Sequence, residues 1–262
     1  MTDSHEHDRT ASLELSGRTA LVTGGGVGIG AAIAEELARR GARIFITYRS
    51  HEPDENALAR LRTPEGQEAT ALRVDLTVEE EVQRLHDSVA AAAESLDILV
   101  HNAGGLVQRS AIVDMPYELF RRVQVLNVDS VFLVTHHLLP LMSEGGRIVT
   151  VASLAGRSGG HAGATAYATA KAALFGFTRG LAGELAPAGI TVNAVAPGFI
   201  EATPFHDTFT TAASKTETVN AIPLGRAGSP ADVASAVVWL SSPSASFTTG
   251  VVLDVNGGQH FS

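Results

Sequence analysis

The sequence predicts one α/β domain in which helices cover both faces of a parallel sheet of about seven strands. Short apolar runs alternate along the chain with longer segments of helical periodicity, and glycine-rich or polar residues follow several of the runs. Composition agrees, since 45% of the residues are hydrophobic and 18% are charged. We expect a single doubly wound domain over 13–262, preceded by a mobile polar tail over 1–12.

Each element follows from a local pattern. The predicted strands are the apolar runs 19–22, 44–47, 69–74, 97–101, 147–151, 190–195 and 251–255. The predicted helices are 31–40, a short one within 50–66, one opening at 77, and then 116–139, 165–186 and 230–240. Thr77 and Glu80 form a capping-box pattern, and Gly145 and Gly146 are expected to end the long fourth helix. The segment 201–220 lacks a clear period and is placed where a lid could cover a site.

A glycine-rich turn, Thr23 to Gly30, joins the first strand to the first helix. Glycines allow positive φ and leave helix N–H groups accessible to an anion, which suits the pyrophosphate of a dinucleotide. The spacing G-x-G-x-x-G/A is met only loosely, so an ordinary strand-to-helix loop is an even alternative for this turn alone. The turn predicts a Rossmann-type domain, in which ligands lie at the carboxyl ends of the strands.

Tyr167 and Lys171 are four residues apart in a predicted helix and therefore share one face. An ammonium group beside a phenol lowers its pKa from the ordinary value of about 10, which favours proton transfer near neutral pH. Ser153 ends the preceding strand, where its hydroxyl can hydrogen-bond a substrate oxygen. Surface or packing roles are the alternative for such a pair taken alone.

These motifs resemble the short-chain dehydrogenase/reductase family over 15–258, closest to 3-oxoacyl carrier-protein reductases and sugar dehydrogenases. The similar segments are the cofactor turn Thr23-Gly24-x-x-x-Gly28-x-Gly30, Asn102-Ala103-Gly104, the tetrad Asn127, Ser153, Tyr167 and Lys171, Pro197-Gly198, and Asp254-x-Asn256-Gly257-Gly258. Two features depart from the family pattern. The loop from Ser153 to Tyr167 is one residue longer than usual, and the threonine after Pro197-Gly198 is displaced to Thr203.

The resemblance implies hydride transfer between a nicotinamide cofactor and a carbonyl or alcohol carbon. Tyr167 would be the general acid and base and Ser153 would hold the substrate oxygen. Lys171 would lower the phenol pKa and bind the nicotinamide ribose, while Asn127 would position a water in a proton relay. The implied cofactor-binding residues are Thr23, Gly24, Gly28, Ile29, Gly30, Tyr48, Arg49, Ser50, Asp75, Leu76, Asn102, Ala103, Gly104, Tyr167, Lys171, Pro197, Gly198, Ile200 and Thr203. The expected substrate-pocket walls are Leu154, Arg157, His161, Phe199 and the segment 205–209.

The predicted second strand ends in Tyr48-Arg49-Ser50, without the acid that accepts hydrogen bonds from the ribose of NAD. Arg49 can instead form charge-assisted hydrogen bonds to the extra phosphate of NADP. NADP(H) is therefore the preferred cofactor, with NAD(H) as the alternative. Glu52 nearby and the apolar Val27 in the glycine turn argue against that preference.

Composition excludes several other functions. The net charge of −9 argues against nucleic acid or a membrane as a partner. No cysteine is present, no metal-binding spacing occurs, and the absence of a signal peptide or apolar span predicts a cytoplasmic protein. His101 and His161 are expected to be structural or solvated.

The resemblance implies a homotetramer. Large apolar residues on two predicted helices support it: Phe120, Val131, Phe132, Phe175 and Phe177. The alternatives to an oxidoreductase are a non-catalytic regulatory protein that binds a dinucleotide, and an isomerase or dehydratase on the same scaffold.

Overall fold

The structure is a computed structural model that describes residues 13–201, 203 and 212–262, with only the backbone described for 212–214. The tail predicted over 1–12 and the middle of the predicted lid lie outside the described residues. Within the described part of the chain, every helix is too short or too polar to traverse a lipid bilayer.

One sheet organises the described residues, with strand order β3-β2-β1-β4-β5-β6-β7 and parallel pairing throughout. The strands are β1 Thr19–Val22, β2 Arg43–Tyr48, β3 Thr70–Arg73, β4 Leu96–His101, β5 Met142–Val151, β6 Thr191–Pro197 and β7 Val252–Val255. The predicted parallel α/β fold is confirmed. Because the chain leaves β1 toward β2 on one side and returns to β4 on the other, a crevice opens at the carboxyl ends of β1 and β4.

Helices cover both faces of the sheet. They are α1 Gly28–Arg39, α2 Glu55–Arg60, α3 Glu79–Ala92, α4 Tyr117–Gln124, α5 Ser130–Leu138, α6 Ala155–Ser158, α7 Thr165–Leu185, α8 Ala212–Asn220 and α9 Pro230–Ser241. One apolar cluster joins the sheet to α1 and α9, and a second joins it to α3, α5 and α7. Successive side chains of β1 point to opposite faces of the sheet, so this strand contributes to both clusters. Ala20 and Val22 belong to the first cluster, and Leu21 belongs to the second.

Three predicted boundaries are wrong. The third helix begins at Glu79 rather than through a Thr77 capping box, because the Thr77 hydroxyl donates to Asp75 Oδ1 at 2.6 Å. The long fourth helix stops at Leu138, and β5 starts at Met142, so Gly145 and Gly146 lie within a strand segment whose pairing with β4 is irregular. A π-helical turn, Val125–Asp129, also divides that helix into α4 and α5.

His101, at the end of β4, is 2% exposed. Its Nε2 lies 3.0 Å from Thr135 Oγ1, and that hydroxyl donates its only proton to Val131 O at 2.7 Å. The network therefore assigns the Nε2–H tautomer, with the ring donating to Thr135. Burial lowers the pKa of His101 to about 3. The expected structural role fits this position.

The folded state keeps His101 neutral, whereas the unfolded chain protonates it below about pH 6.5. This histidine therefore costs no stability above pH 6.5 and lowers the unfolding free energy progressively as the pH falls toward 3, by up to about 1.4 kcal/mol per pH unit. Urea unfolding of wild type and His101→Gln between pH 5 and 7.5 measures the effect. The variant should show a shallower pH dependence. His86→Gln, at a more exposed histidine, should keep the wild-type slope, and equal slopes for all three proteins would contradict the assignment.

Candidate active site

A cavity of about 820 Å³ lies along the carboxyl edge of the sheet, within the size range of small-molecule sites. The residues that follow β1 to β6 contribute to its wall, so the crevice predicted from the strand order is present. Of the predicted site residues, the wall contains Gly24, Gly28, Ile29, Gly30, Tyr48, Arg49, Ser50, Asp75, Leu76, Asn102, Ala103, Gly104, Ser153, Tyr167, Lys171, Pro197, Gly198, Ile200 and Thr203.

The glycine-rich turn has the shape of an anion cradle. Gly24 and Gly28 have φ of 63° and 56°, which side-chain-bearing residues rarely adopt. A Cβ at Gly30 would collide with Gly24 O and Asn102 Nδ2, so only glycine allows this close approach. Helix α1 starts at Gly28 with no acidic residue in its first turn and no side-chain cap. Its N–H groups are therefore available to a pyrophosphate.

Thr23 and Asn102 hold this turn against β4. Thr23 Oγ1 accepts hydrogen bonds from the N–H groups of Asn102 and Ala103, at 2.9 and 3.1 Å. The Asn102 amide donates to the carbonyl oxygens of Thr23 and Gly24, each at 3.0 Å. Thr23 is only 2% exposed and is absent from the cavity wall. Thr23 therefore supports the turn from behind the wall, and its contact with a cofactor stays a prediction.

Charged and polar groups surround the end of the cavity beyond β2. Tyr48 hydrogen-bonds Glu52, and burial followed by the Glu52 charge raises the Tyr48 pKa. Burial alone would raise the pKa of the Asp75 carboxyl, but hydrogen bonds from Thr77 and the nearby Arg49 charge outweigh it and lower the pKa. Asp75 is thus ionised beside Arg49, and Glu52 is engaged by Tyr48 outside the cavity wall.

Ser153 and Tyr167 are hydrogen-bonded to each other at the opposite end of the cavity. Ser153 Oγ also accepts a hydrogen bond from Ala155 N at 3.1 Å, which leaves its proton to donate. Lys171 Nζ lies 5.7 Å from the centre of the Tyr167 ring and donates to Val151 O at 2.9 Å. Three of the four tetrad side chains therefore meet in the cavity.

The phenol pKa differs from the expectation. Burial raises the pKa of Tyr167 to about 12, opposed by the Ser153 hydrogen bond. Lys171 is 4% exposed, and burial lowers its own pKa to about 8. The predicted lowering of the phenol pKa is thus wrong for the chain alone, because burial disfavours the phenolate more than the Ser153 hydrogen bond favours it.

Asn127 lies behind this wall rather than in it. It is fully buried in the π-helical turn, and both amide protons are donated, to Gly105 O and Val123 O at 2.8 Å. Its Oδ1 accepts from Gly105 N at 3.0 Å. These bonds leave no amide proton for the water of the predicted relay. Asn127 thus positions the loop after β4, and its part in a proton relay stays a prediction.

At the substrate end, one of the predicted wall residues that the structure describes does not line the cavity, and the predicted wall segment 205–209 lies outside the described residues. Leu154, His161 and Phe199 line the cavity, as predicted. Arg157 does not, because it pairs with Asp254 at 3.3 Å and lies over the Phe175 ring at 4.9 Å. Arg109 lines the cavity instead, and sequence reasoning missed it. Arg109 follows the Asn102-Ala103-Gly104 motif by five residues, in the loop after β4. That position could have indicated that it lines the site.

Fold and cavity together define a dinucleotide-binding α/β enzyme. A family model described as enoyl-(acyl carrier protein) reductase matches residues 25–260. The chain is 39% identical over 252 residues to the 3-oxoacyl-[acyl-carrier-protein] reductase of Aquifex aeolicus, covering 94% of this chain and 98% of that protein. The Vibrio cholerae reductase of the same name is 37% identical over 254 residues, with coverage of 95% and 99%.

Solved structures give the same result. A glucose/ribitol dehydrogenase of the short-chain type from Brucella melitensis superposes with a TM-score of 0.88 at 33% identity, over 96% of this chain and 100% of that one. The Pseudomonas aeruginosa RhlG/NADP active-site complex has a TM-score of 0.86 at 34% identity, over 95% and 98%.

The chain belongs to the short-chain dehydrogenase/reductase family. It is an NAD(P)-dependent oxidoreductase that acts on carbonyl or alcohol groups. The predictions of family and of enzyme class are therefore confirmed.

Because Gly104 has no side chain, the loop after β4 can pack closely against the buried side chains of Asn127 and Lys171. A Cβ there would lie 2.6 Å from Asn127 Oδ1 and 3.3 Å from Lys171 Nζ, whereas a Cβ at the adjacent Gly105 meets nothing nearer than Leu126 at 3.8 Å. We expect Gly104→Ala to lower the unfolding free energy by about 1–3 kcal/mol and to weaken cofactor binding, since Asn127 cannot move without losing its hydrogen bonds. Gly105→Ala is the matched control. Denaturant unfolding and fluorescence titration with NADPH measure both properties, and equal behaviour of the two variants would refute this account.

Proposed function

We propose that this protein is an NADP(H)-dependent reductase of carbonyl groups in which Tyr167 donates the proton. The observation that carries this proposal is the hydrogen-bonded pair of Ser153 and Tyr167 in the cavity wall, with Lys171 buried beside it. A phenol with a pKa of about 12 is protonated at neutral pH, which is the form needed to reduce a carbonyl.

The residues present fit a nicotinamide dinucleotide. The glycine cradle and the open start of α1 would hold its pyrophosphate. Asp75 and Leu76 would lie at its adenosine end, and Gly104, Lys171 and Pro197 at its nicotinamide end. When bound, this cofactor supplies or accepts the hydride.

The chain's own residues manage the substrate oxygen and the proton. Ser153 and Tyr167 lie side by side in the cavity wall, so a bound carbonyl oxygen would replace the hydrogen bond between them, with Ser153 holding that oxygen and Tyr167 protonating it as the hydride arrives. Lys171, whose pKa of about 8 leaves it mostly protonated at pH 7, would replace the lost phenol proton. Oxidation of an alcohol would reverse each step.

Carbonyl reduction is favoured over reduction of a carbon–carbon double bond. The matched family model is described as an enoyl reductase, whereas the similar curated relatives are 3-oxoacyl reductases. The neighbouring hydroxyls of Ser153 and Tyr167 suit a carbonyl oxygen that becomes an alcohol, since one can hold that oxygen while the other protonates it.

NADP(H) is the proposed preferred form of the cofactor, with NAD(H) as the alternative. Arg49 and Ser50 line the cavity beyond β2, and Arg73 Nε donates to Arg49 O at 3.3 Å, which adds a second cation nearby. Glu52, the acid that would repel a ribose phosphate, interacts with Tyr48 and does not line the cavity. The NADP complex of the Pseudomonas aeruginosa relative supports this choice.

A homotetramer is also proposed, from the family resemblance. Not all of the apolar residues that support it are exposed. Val131 and Phe175 are buried within the chain, at 3% and 7% exposure. Phe132 on α5 is 53% exposed and remains available to a neighbouring subunit. The cytoplasmic location stays a prediction of the sequence.

Tyr167→Phe removes the transferable proton and little else. We expect turnover to fall by roughly 10²- to 10⁴-fold while the affinity for NADPH stays nearly unchanged. Absorbance of NADPH follows turnover on a panel of ketones and acyl thioesters, and fluorescence titration follows binding. Tyr117→Phe, at a tyrosine that is 70% exposed, is the control and should keep full activity. A Tyr167→Phe enzyme with more than half of the wild-type activity would remove Tyr167 from the mechanism.

Arg49→Ala tests the cofactor preference. Loss of a charge-assisted contact of about 1.5 to 3 kcal/mol should raise the KM for NADPH roughly 10- to 100-fold and leave the KM for NADH almost unchanged. Arg62→Ala, an exposed arginine paired with Glu68 outside the cavity wall, should change neither constant. A wild-type enzyme with a higher kcat/KM for NADH would show that the preference is wrong.

A further inference from the structure

We propose that Arg109 binds an anionic group on the carbonyl substrate, so that the substrate carries a carboxylate or a phosphate in addition to the carbonyl. This inference rests on the proposed carbonyl reductase function and adds the chemical class of the substrate. It is carried by the position of Arg109, by the strained backbone that holds it there, and by the charges around it.

Arg109 lines the same cavity as Ser153 and Tyr167 and is half-buried. Its Nη1 donates to Ala162 O at 3.2 Å. The next residue, Ser110, donates from its backbone N–H to Gly163 O at 3.0 Å. Because Ala162 and Gly163 directly precede α7, the guanidinium lies where the chain enters the helix that carries Tyr167.

A strained turn sets the course of the loop that carries Arg109. Val107 has φ of 65° and is the only non-glycine residue with positive φ in the described part of the chain. Gln108 N–H donates to Leu106 O at 2.8 Å across it, which is the hydrogen bond of a γ-turn. Such a conformation is costly for a β-branched residue and persists only where its surroundings impose it.

The surroundings of this turn are fixed on both sides. Before it, Asn127 binds both backbone groups of Gly105, and Leu106 is 2% exposed. After it, Ser110 is bonded to Gly163, where an added Cβ would lie 3.2 Å from the Arg109 Cβ. The strained backbone conformation of Val107 is therefore imposed by contacts on both sides. These contacts keep Arg109, two residues beyond the turn, at the cavity.

The charge at this end of the cavity is unbalanced. Within residues 13–201 and 212–262, no ion pair involves Arg109, and Ala162 O takes one of the five donors of its guanidinium. Lys171 and His161 line the same half of the wall. The one carboxylate among the described wall residues, Asp75, lies at the adenosine end beside Arg49. A cation without a carboxylate, in a chain of net charge −9, is suited to bind an anion from the substrate.

Pairs of anionic and neutral substrates test this inference. Acetoacetate carries a carboxylate that methyl acetoacetate lacks, and acetoacetyl-CoA carries phosphates, together with its adenosine and pantetheine arm, that acetoacetyl-N-acetylcysteamine lacks. Reduction is followed with NADPH for wild type, Arg109→Met, Arg109→Lys and the surface control Arg62→Met. Thermal unfolding of each variant shows whether the fold is kept.

We expect wild type to prefer the anionic member of at least one pair, and that pair identifies the source of the charge. Arg109→Met should raise the KM for that member roughly 10- to 100-fold, with little change in kcat or in the KM for the neutral partner. Arg109→Lys should retain most of the preference, and Arg62→Met all of it. A wild-type preference for both neutral members would overturn the inference. Equal losses on charged and neutral members in Arg109→Met would do so too, since they indicate that Arg109 only supports the loop at Ala162.

Calorimetric titration of the NADP⁺-loaded enzyme with acetoacetate and with acetoacetyl-CoA separates this inference from the proposed function. Binding that depends on Arg109, without reduction of any carbonyl, would refute the reductase and keep the anion site. Reduction of neutral ketones, with no effect of Arg109→Met on either anionic compound, would keep the reductase and refute the anion site. Absence of both binding and reduction for the anionic compounds would also refute it.

Discussion

The side-chain amide of Asn127 connects three parts of the site that are far apart in the chain. It sits fully buried in the π-helical turn between α4 and α5 and holds both backbone groups of Gly105. That attachment brings Gly104 against Asn127 and Lys171 and fixes the start of the loop that leads to Arg109. Because both amide protons and the amide oxygen of Asn127 are bonded within the protein, this side chain fixes the shape of the site.

Burial then decides the chemistry of the reacting groups. Removing water raises the pKa of Tyr167 and lowers that of Lys171, so each group shifts toward its neutral form. A phenol of raised pKa stays protonated at neutral pH but is a weaker acid than in water, and an ammonium group that has lost part of its hydration gives up its proton more easily. Burial thus keeps the phenol protonated and loosens the hold of the neighbouring amine on its proton.

Much of this arrangement could be read from the sequence, because local pattern and glycine placement determine it. Alternation and short apolar runs identified the strands, and the turn from Gly24 to Gly30 identified the cofactor edge. Some failures came where a distant residue decides. Arg157 pairs with Asp254, 97 positions later, rather than lining the cavity. The Thr77 failure is local, because its hydroxyl binds Asp75 instead of capping a helix. The strained φ of Val107 and the burial of Lys171 leave no local signature, so the position of Arg109 and the phenol pKa could not be derived.

The packing of α9 on α1 has a consequence for how the chain folds. Ile33 and Leu37 of α1 share a core cluster with Val233 and Val237 of α9, roughly 200 positions later in the sequence. During synthesis, the strands from β1 to β6 can pair while this face of α1 remains open to solvent. Contacts that span so much of the chain form late, and an apolar surface left exposed until then favours association with other molecules. Folding of this protein is therefore most vulnerable to aggregation in the interval before residues 230–241 emerge and cover the first helix.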